Sequence, residues 1–278
     1  MKILLIVHYP AELEKFKYIL PYLGEVTAIY DTTIGLSNAS QWKPAYPLAL
    51  QECPVPPRPW WYLLAREADD YKFWQSLPQS AYYKNRVKYT YPQPLLALPL
   101  GFLKRFYRAP KYIREHLKKL SPDVVITTSL AFPALHIQAE FILEAKRLGI
   151  PTISMLTNWD CNTTKAKIYP IPDYVFCWNK NHTDELIAYH GVHESQIQEV
   201  GAFSFEEWIR PHQPMRRDKF CAKWGLDPKR PIYTYLTSSN SISGTEVHAI
   251  EQWRNSINIA DVLVHEKPNL VIRPHPDK

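Results

Sequence analysis

Three short stretches of this chain gather side chains able to do chemistry. Residues 157–166, TNWDCNTTKA, crowd amides, hydroxyls, a carboxylate, an indole and an ammonium together. Asp160 can accept a proton or hold a hydroxyl. Asn162, Thr163 and Thr164 can donate hydrogen bonds to a polar ligand, and Lys165 can pair with a phosphate. The same composition also describes a polar loop that satisfies its own backbone through Asx-type turns, and the two readings stand level. Residues 236–246, LTSSNSISGTE, place Ser238 and Ser239 in a hydroxyl-rich loop. Ser243 to Glu246 fits the S-x-x-E capping box, which fixes a helix start and turns its positive end towards that loop, a ready anion site. One glycine is too few for a P-loop, and a plain capped loop is the alternative. Residues 273–276 read RPHP. Arg273 can grip a diphosphate with its fork, His275 can bind a phosphate or move a proton near neutrality, and the prolines stiffen both positions. Taken alone, this string equally suits an arginine in a structural ion pair and a histidine on a loop.

Each stretch follows or adjoins a run that reads as a buried strand, and strand carboxyl ends are where open α/β sheets bind ligands. Ile3 to Val7 is continuously aliphatic, as a parallel strand covered on both faces requires. Residues 11–25, AELEKFKYILPYLGE, carry Leu13, Phe16, Ile19, Leu20 and Leu23 at helical spacing, and VTAIYD then reads as a second strand. The α/β rhythm resumes at Asp123 with strand DVVITTS, helix AEFILEAKRLG, and strands PTISML and DYVFCWN. Helix HTDELIAYHG and strand IQEVGA complete it. The fold class is therefore α/β. Residues 1–202 form an amino-terminal Rossmann-like domain that lacks GxGxxG, and residues 203–229 form a linker. Residues 230–278 supply two strands and a helix, too little to close a core, and read as the incomplete start of a second Rossmann-type domain. A ligand held between the two could touch all three stretches.

Residues 33–121 break the rhythm and read as a largely helical insertion with proline-stiffened loops. Lys104, Arg105, Arg108, Lys111, Arg114, Lys118 and Lys119 there interleave with Phe102, Leu103, Phe106, Tyr107, Tyr112 and Ile113. That mixture suits an anionic membrane surface or a polyanionic substrate. It also suits a solvated helix face packed by its aromatics, and the balance tips towards packing.

The chain has 278 residues, a formal charge of +6 and a pI near 9.0. This leans towards nucleotides, phosphosugars or acidic lipid, and is too mild to argue for nucleic acid. Cys53, Cys161, Cys177 and Cys221 are too widely spaced for a disulfide framework or a metal site, so a reducing cytoplasm is the default. MKILLIVHYP has no cleavage signal and reads as a strand. No apolar run approaches the roughly 18 residues of a membrane span. A soluble or at most peripheral protein is expected.

The block from Thr157 to Trp208 resembles the central region of bacterial GT-B-type glycosyltransferases for surface polysaccharides. Their pattern runs S-W-D-N-L-T-S-K-G, then P-D-x-x-x-V-W-N, a helix ending H-G, and a strand closing in G-A-P-x-F-D. This chain carries Trp159, Asp160, Thr163, Lys165, Pro172, Asp173, Trp178, Asn179, His190, Gly191, Gly201 and Ala202 at those places. It departs at Cys161, Asn162, Ala166 and Glu206. The likeness extends to AREADDYKFW, YTYLTSSNS and RPHP. It is similar, more distantly, to CDP-glycerol glycerophosphotransferases and UDP-N-acetylglucosamine 2-epimerases.

The resemblance implies transfer of a sugar from a nucleotide donor to a glycan or lipid-linked acceptor, with no cofactor and no obligatory metal. No D-x-D motif is present, and ADD at Ala68 to Asp70 reads as helix. By position, Trp159, Asn162, Thr163 and Lys165 would contact substrate. Ser238, Ser239, Arg273 and His275 would hold the donor diphosphate. Asp160 would serve as base, with His275 stabilising the leaving phosphate. Glycerol-phosphate transfer from CDP-glycerol, UDP-sugar epimerisation, and a non-catalytic nucleotide- or glycan-binding fragment are the alternatives.

Overall fold

The computed structural model describes residues 1–8, 10–31, 48–77, 92–128, 130, 137–209, 214–238, 246–261 and 267–275. Its contacts divide the chain into two units, Met1–Arg210 and Pro211–Lys278.

The first unit is built on a parallel sheet of seven strands. These are β1 (Lys2–Val7), β2 (Glu25–Asp31), β3 (Ala49–Cys53), β4 (Val124–Thr127), β5 (Thr152–Met155), β6 (Tyr174–Cys177) and β7 (Ile197–Glu199). Their order is β3-β2-β1-β4-β5-β6-β7. Ile3 pairs with Val26 on one side and Val124 on the other. The order reverses between β1 and β4, which is the switch point of a Rossmann-type sheet and the usual place for a ligand crevice. The α/β reading of the sequence holds.

Alternate residues of β1 feed opposite cores. Leu4 and Ile6 pack with Ile113, Leu117 and Phe141 under the helices Lys111–Leu120 and Gln138–Arg147. Ile3, Leu5 and Val7 pack with Leu13, Phe16 and Leu20. Right-handed crossovers explain the asymmetry: moving from β1 to β2 and from β4 to β5 runs in opposite directions along the sheet, so the connections land on opposite faces. The face of β4 to β6 without helices of its own is left as an apolar groove of about 690 Å³ over Ile126, Ile153, Met155 and Phe176. It lacks the convergent polar groups that chemistry needs.

Three elements differ from the sequence expectation. Residues 11–25 do not form an α-helix. They wind as 3-10 turns, Pro10–Phe16 and Leu20–Tyr22, and Pro21, which lacks an N–H and would clash with the carbonyl four residues back, bars an α-helix through residues 17–21. The inward residues Leu13, Phe16 and Leu20 are nevertheless buried. The stretch expected to be largely helical, 33–121, also supplies edge strand β3, paired with β2 from Thr27↔Ala49 to Asp31↔Cys53. Its second helical piece is broken by Pro110, which caps Lys111–Leu120, while Leu100–Phe106 forms a 3-10 turn.

The helix Trp60–Ser76 is fastened to the rest of the unit by buried charge. Arg66 donates to the carbonyls of Tyr169 (3.2 Å) and Lys167 (3.5 Å), and Asp70 accepts from the Lys167 N–H at 3.0 Å. Lys104 pairs with Asp69 and lies 4.0 Å from the Tyr169 ring centroid. Burial, and then the neighbouring Arg66, pull the Lys104 ammonium down to about 8. Gly101 lets this approach happen, since a Cβ there would collide with the Asp69 carboxylate. Farther along, Arg58 holds Glu140 with two bonds, 2.7 and 2.9 Å, and Tyr107 adds a third at 3.2 Å.

In the second unit, β8 (Ile232–Leu236) and β9 (Asn269–Arg273) pair in parallel, from Ile232↔Asn269 to Leu236↔Arg273. The helix Val247–Asp261 lies between them in sequence. A helix, Arg217–Trp224, ends at Gly225 with φ 66° inside the stretch expected to be a linker. Among the described residues no helix is long and apolar enough to cross a membrane.

Candidate functional site

The loop after β5 is held from beneath. Strand pairing continues one residue past β5, with the Leu156 N–H donating to the Phe176 carbonyl at 2.9 Å. The indole Nε1 of Trp178 donates to the Leu156 carbonyl at 2.7 Å. His182 then takes the Trp178 N–H on Nδ1 (3.4 Å) and donates from Nε2 to the Trp159 carbonyl (2.9 Å). His190 takes the Ile168 N–H on Nδ1 (3.0 Å) and donates from Nε2 to the Asn162 carbonyl (2.8 Å). An N–H accepted on Nδ1 leaves the ring proton on Nε2, so these partners fix the tautomer of each histidine. Burial pushes His190 down to about 4, so its ring is neutral at physiological pH.

These anchors come from one folded strip. Asn179 caps the helix Lys180–Glu185 by accepting the His182 N–H. The chain then widens into a π turn, Leu186–His190, and stops at Gly191 with φ 69°, a conformation glycine adopts without strain. The motif residues Trp178, Asn179, His190 and Gly191 therefore hold the loop and its flanking helix in place.

On that platform the loop presents its chemistry. Trp159 is 71% exposed. Asp160 precedes a single helical turn, Cys161–Thr164, and its Oδ2 accepts from the Thr164 hydroxyl at 2.7 Å. Lys165 Nζ stands 3.7 Å from the same oxygen, both side chains being about three quarters buried. Thr163 is half-buried beside them. Asn162 points the other way. It is fully buried, its Nδ2 donates to Glu185 at 3.1 Å, and its Oδ1 has no hydrogen-bond partner among the described residues. Of the residues read as substrate contacts, Trp159 is exposed, Thr163 and Lys165 are partly buried and Asn162 is fully buried, and the carboxylate read as base, Asp160, is partly buried beside Lys165.

A second polar cluster lies at the switch point, and the sequence reading missed it. His8 follows β1 directly and is buried with Glu12, Thr128 and Gln138. Glu12 Oε2 accepts from the His8 N–H and from the Thr128 hydroxyl, each at 3.0 Å, and Gln138 donates to Thr128 at 2.9 Å. Lys15 ties the same turn to the loop through Asn158 Oδ1 at 3.0 Å. The signal was present in VHYPAE and ITT, polar residues placed directly at the carboxyl ends of aliphatic runs.

In the second unit the ends of β8 and β9 are stitched side by side. The Thr237 N–H donates to the Arg273 carbonyl (3.1 Å), and the His275 N–H donates to the Thr237 hydroxyl (2.7 Å). Arg273 is exposed and His275 half-buried. Ser238 lies at the same edge, where its N–H donates to the Glu246 carboxylate at 2.8 Å. The acid at the helix start thus occupies a donor that the anion reading leaves for phosphate, and it suits the positive end of the helix. Ser239 and Ser243 lie outside the described residues. Among the described residues no cluster of histidine, cysteine or acidic side chains could hold a metal ion.

No protein-family model matches this chain, and no curated protein matches it. Solved structures do. UDP-N-acetylglucosamine 2-epimerase from Rickettsia bellii aligns over 99% of this chain and 62% of its own, at 15% identity and a TM-score of 0.46. MurG of Acinetobacter baumannii aligns over 99% and 66%, at 12% identity and 0.40. UGT89C1 of Arabidopsis thaliana, complexed with UDP-L-rhamnose, aligns over 84% and 57%, at 13% identity and 0.40. The chain thus spans about six tenths of the length of these proteins. Likeness of this degree carries nothing about activity.

Proposed function

We propose that this protein takes part in transferring a glycosyl group from a nucleotide-sugar donor to a cell-surface glycan or lipid-linked acceptor. Such a transfer needs an apolar plate for a sugar ring, a base for the acceptor hydroxyl, and cations for the departing diphosphate. The observation that carries the reading is the loop after β5. An exposed indole, a carboxylate and an ammonium stand together on a backbone fixed by two histidines. Trp159 stacks against the sugar face, Asp160 accepts the hydroxyl proton, and Lys165 offsets phosphate charge. On the second unit Arg273 and His275 grip the donor diphosphate, with His275 stabilising the leaving group, while the Ser238 N–H stays with Glu246. A nucleotide-activated donor places the reaction on the cytoplasmic side.

Incubating the purified protein with UDP-, GDP- and CDP-linked donors and measuring nucleotide release tests this. Asp160→Asn keeps the Thr164 contact, and the expected loss is about 10²–10⁴-fold in rate. Release from CDP-glycerol alone would reassign the transferred group. Turnover of UDP-sugar without acceptor would make the protein an epimerase. Binding without turnover by any donor would leave a binding module. A full rate in Asp160→Asn would remove that residue as base.

A further inference from the structure

The strap at residues 92–108 has an outer surface that the proposed transfer does not use. Leu96, Tyr107 and the Lys104–Asp69 pair seat it on the first unit. Leu95, Leu98, Phe102 and Phe106 face outward, exposed by 42, 46, 50 and 60%. Phe102 and Phe106 meet edge to face with centroids 6.4 Å apart, and the Arg105 guanidinium lies 5.6 Å from the Phe102 ring centroid. Arg105 Nε also donates to the Phe102 carbonyl at 3.1 Å, and Arg108 reaches the Arg105 carbonyl at 3.3 Å. In a 3-10 turn, residues three apart lie one above the other. Phe102 and Arg105 therefore share the outer ridge, while Lys104 and Tyr107 share the inner one.

Charge sharpens what this ridge fits. Residues 71–114 hold nine lysines and arginines and no aspartate or glutamate, while the chain as a whole is only +6. Lys84, Arg86 and Lys88 of that stretch lie outside the described residues, and Lys104, Lys111 and Arg114 pair with Asp69, Glu115 and Glu144, so on the ridge itself Arg105 and Arg108 carry the charge. A soluble polyanion would satisfy the arginines and leave the rings in water. An anionic bilayer satisfies both, taking rings into the boundary between headgroups and acyl chains and arginines onto lipid phosphates.

We propose that the 92–108 strap docks this protein on an anionic phospholipid surface, with Leu95, Leu98, Phe102 and Phe106 entering the interface and Arg105 and Arg108 pairing with phosphates. The docking stands whether or not the protein transfers sugar, because neither the loop after β5 nor the second unit contributes to it.

Co-sedimentation of the full chain with vesicles tests the proposal. Vesicles of phosphatidylcholine with about one third phosphatidylglycerol should capture it, pure phosphatidylcholine should not, and raising salt to about 1 M should release it. Arg105→Glu with Arg108→Glu should lower partitioning at least tenfold, and Phe102→Ser with Phe106→Ser should lower it by a similar factor. All four side chains are exposed, and circular dichroism checks that each variant is folded. Lys118→Glu with Lys119→Glu, on the helix Lys111–Leu120, is the control and should change partitioning little. The proposal is overturned by any of three results: no preference for the anionic vesicles, a control variant that loses as much as the arginine variant, or a dimer in solution that the phenylalanine variant dissociates, which would make a second copy the occupant.

Discussion

Around the loop after β5, ionisable side chains divide between holding and presenting. Asp160 and Lys165 keep about a quarter of their side-chain surface in solvent, whereas His190 lies beneath with both ring nitrogens engaged. That difference has a pH signature. The folded value of His190 is about 4, against about 6.5 for an unperturbed histidine. As pH falls, the unfolded chain takes up this proton first. The stability tied to a neutral ring is complete above about pH 6.5, is lost between about 6.5 and about 4, and falls no further below that. The loss from this one group reaches at most about 3 kcal/mol. His190→Phe fills the space beside Phe73, which the ring already touches at 4.9 Å, but strands the Ile168 N–H and the Asn162 carbonyl. It should cost about 2–4 kcal/mol at pH 7 and flatten the acid slope. Urea midpoints across that pH range decide it, and an unchanged slope in the variant would exclude His190 as the source. From sequence alone, His190 and Trp178 were legible only as matches to a pattern. Their role as bolts depends on carbonyls about 20 or more residues away, which no local pattern encodes.

At the level of elements, the helix Gln138–Arg147 carries the acids that dock the insertion onto the sheet. Glu140 is enclosed with Arg58 and Tyr107, and Glu144 takes Arg114 and Arg147 at 2.9 and 2.6 Å. The Arg58 and Glu140 side chains are 5% and 0% exposed, so removing one partner leaves a bare buried charge. Glu140→Gln should cost about 3–5 kcal/mol, whereas Arg58→Met combined with Glu140→Leu should recover most of it. Denaturant midpoints of the single and double variants test this, and a double variant as unstable as the single would mean that packing, not charge, dominates. The strands β1 and β4 were readable because they are written as aliphatic runs, and β5 and β6 because short apolar-rich runs alternate there with helix signals. Edge strand β3 was not, since Ala49–Cys53 mixes Gln51 and Glu52 into a half-exposed ribbon. The Arg58–Glu140 pair joins residues far apart in sequence, and each alone looks like an ordinary surface charge.

For the whole molecule, the two units differ in how well they bury what they carry. The first encloses β1 on both faces and between two neighbouring strands. Among the described residues the second has two strands, and it leaves Leu236 67%, Val247 62% and Trp224 61% exposed. The two strands and the helix of residues 230–278 were legible in the sequence. The sequence could not show that Glu246 would sit on the Ser238 N–H, since that bond depends on how the loop returns to its helix. Two paired strands alone are marginal in water, because each strand has an unpaired edge and little apolar area leaves solvent. Hydrogen exchange on the intact chain should therefore be uneven. Amides of β1 and β4 should exchange only through global unfolding, while those of β8 and β9 should open locally at a much lower free energy and exchange at least a hundredfold faster. A saturating nucleotide-sugar that binds through Arg273 and His275 should slow β8 and β9 by the factor 1 + [L]/Kd. Protection of β8 equal to that of β1 without ligand would mean that its apolar surface is buried in solution. Slowing of β1 but not β8 by the nucleotide would move the donor site to the first unit.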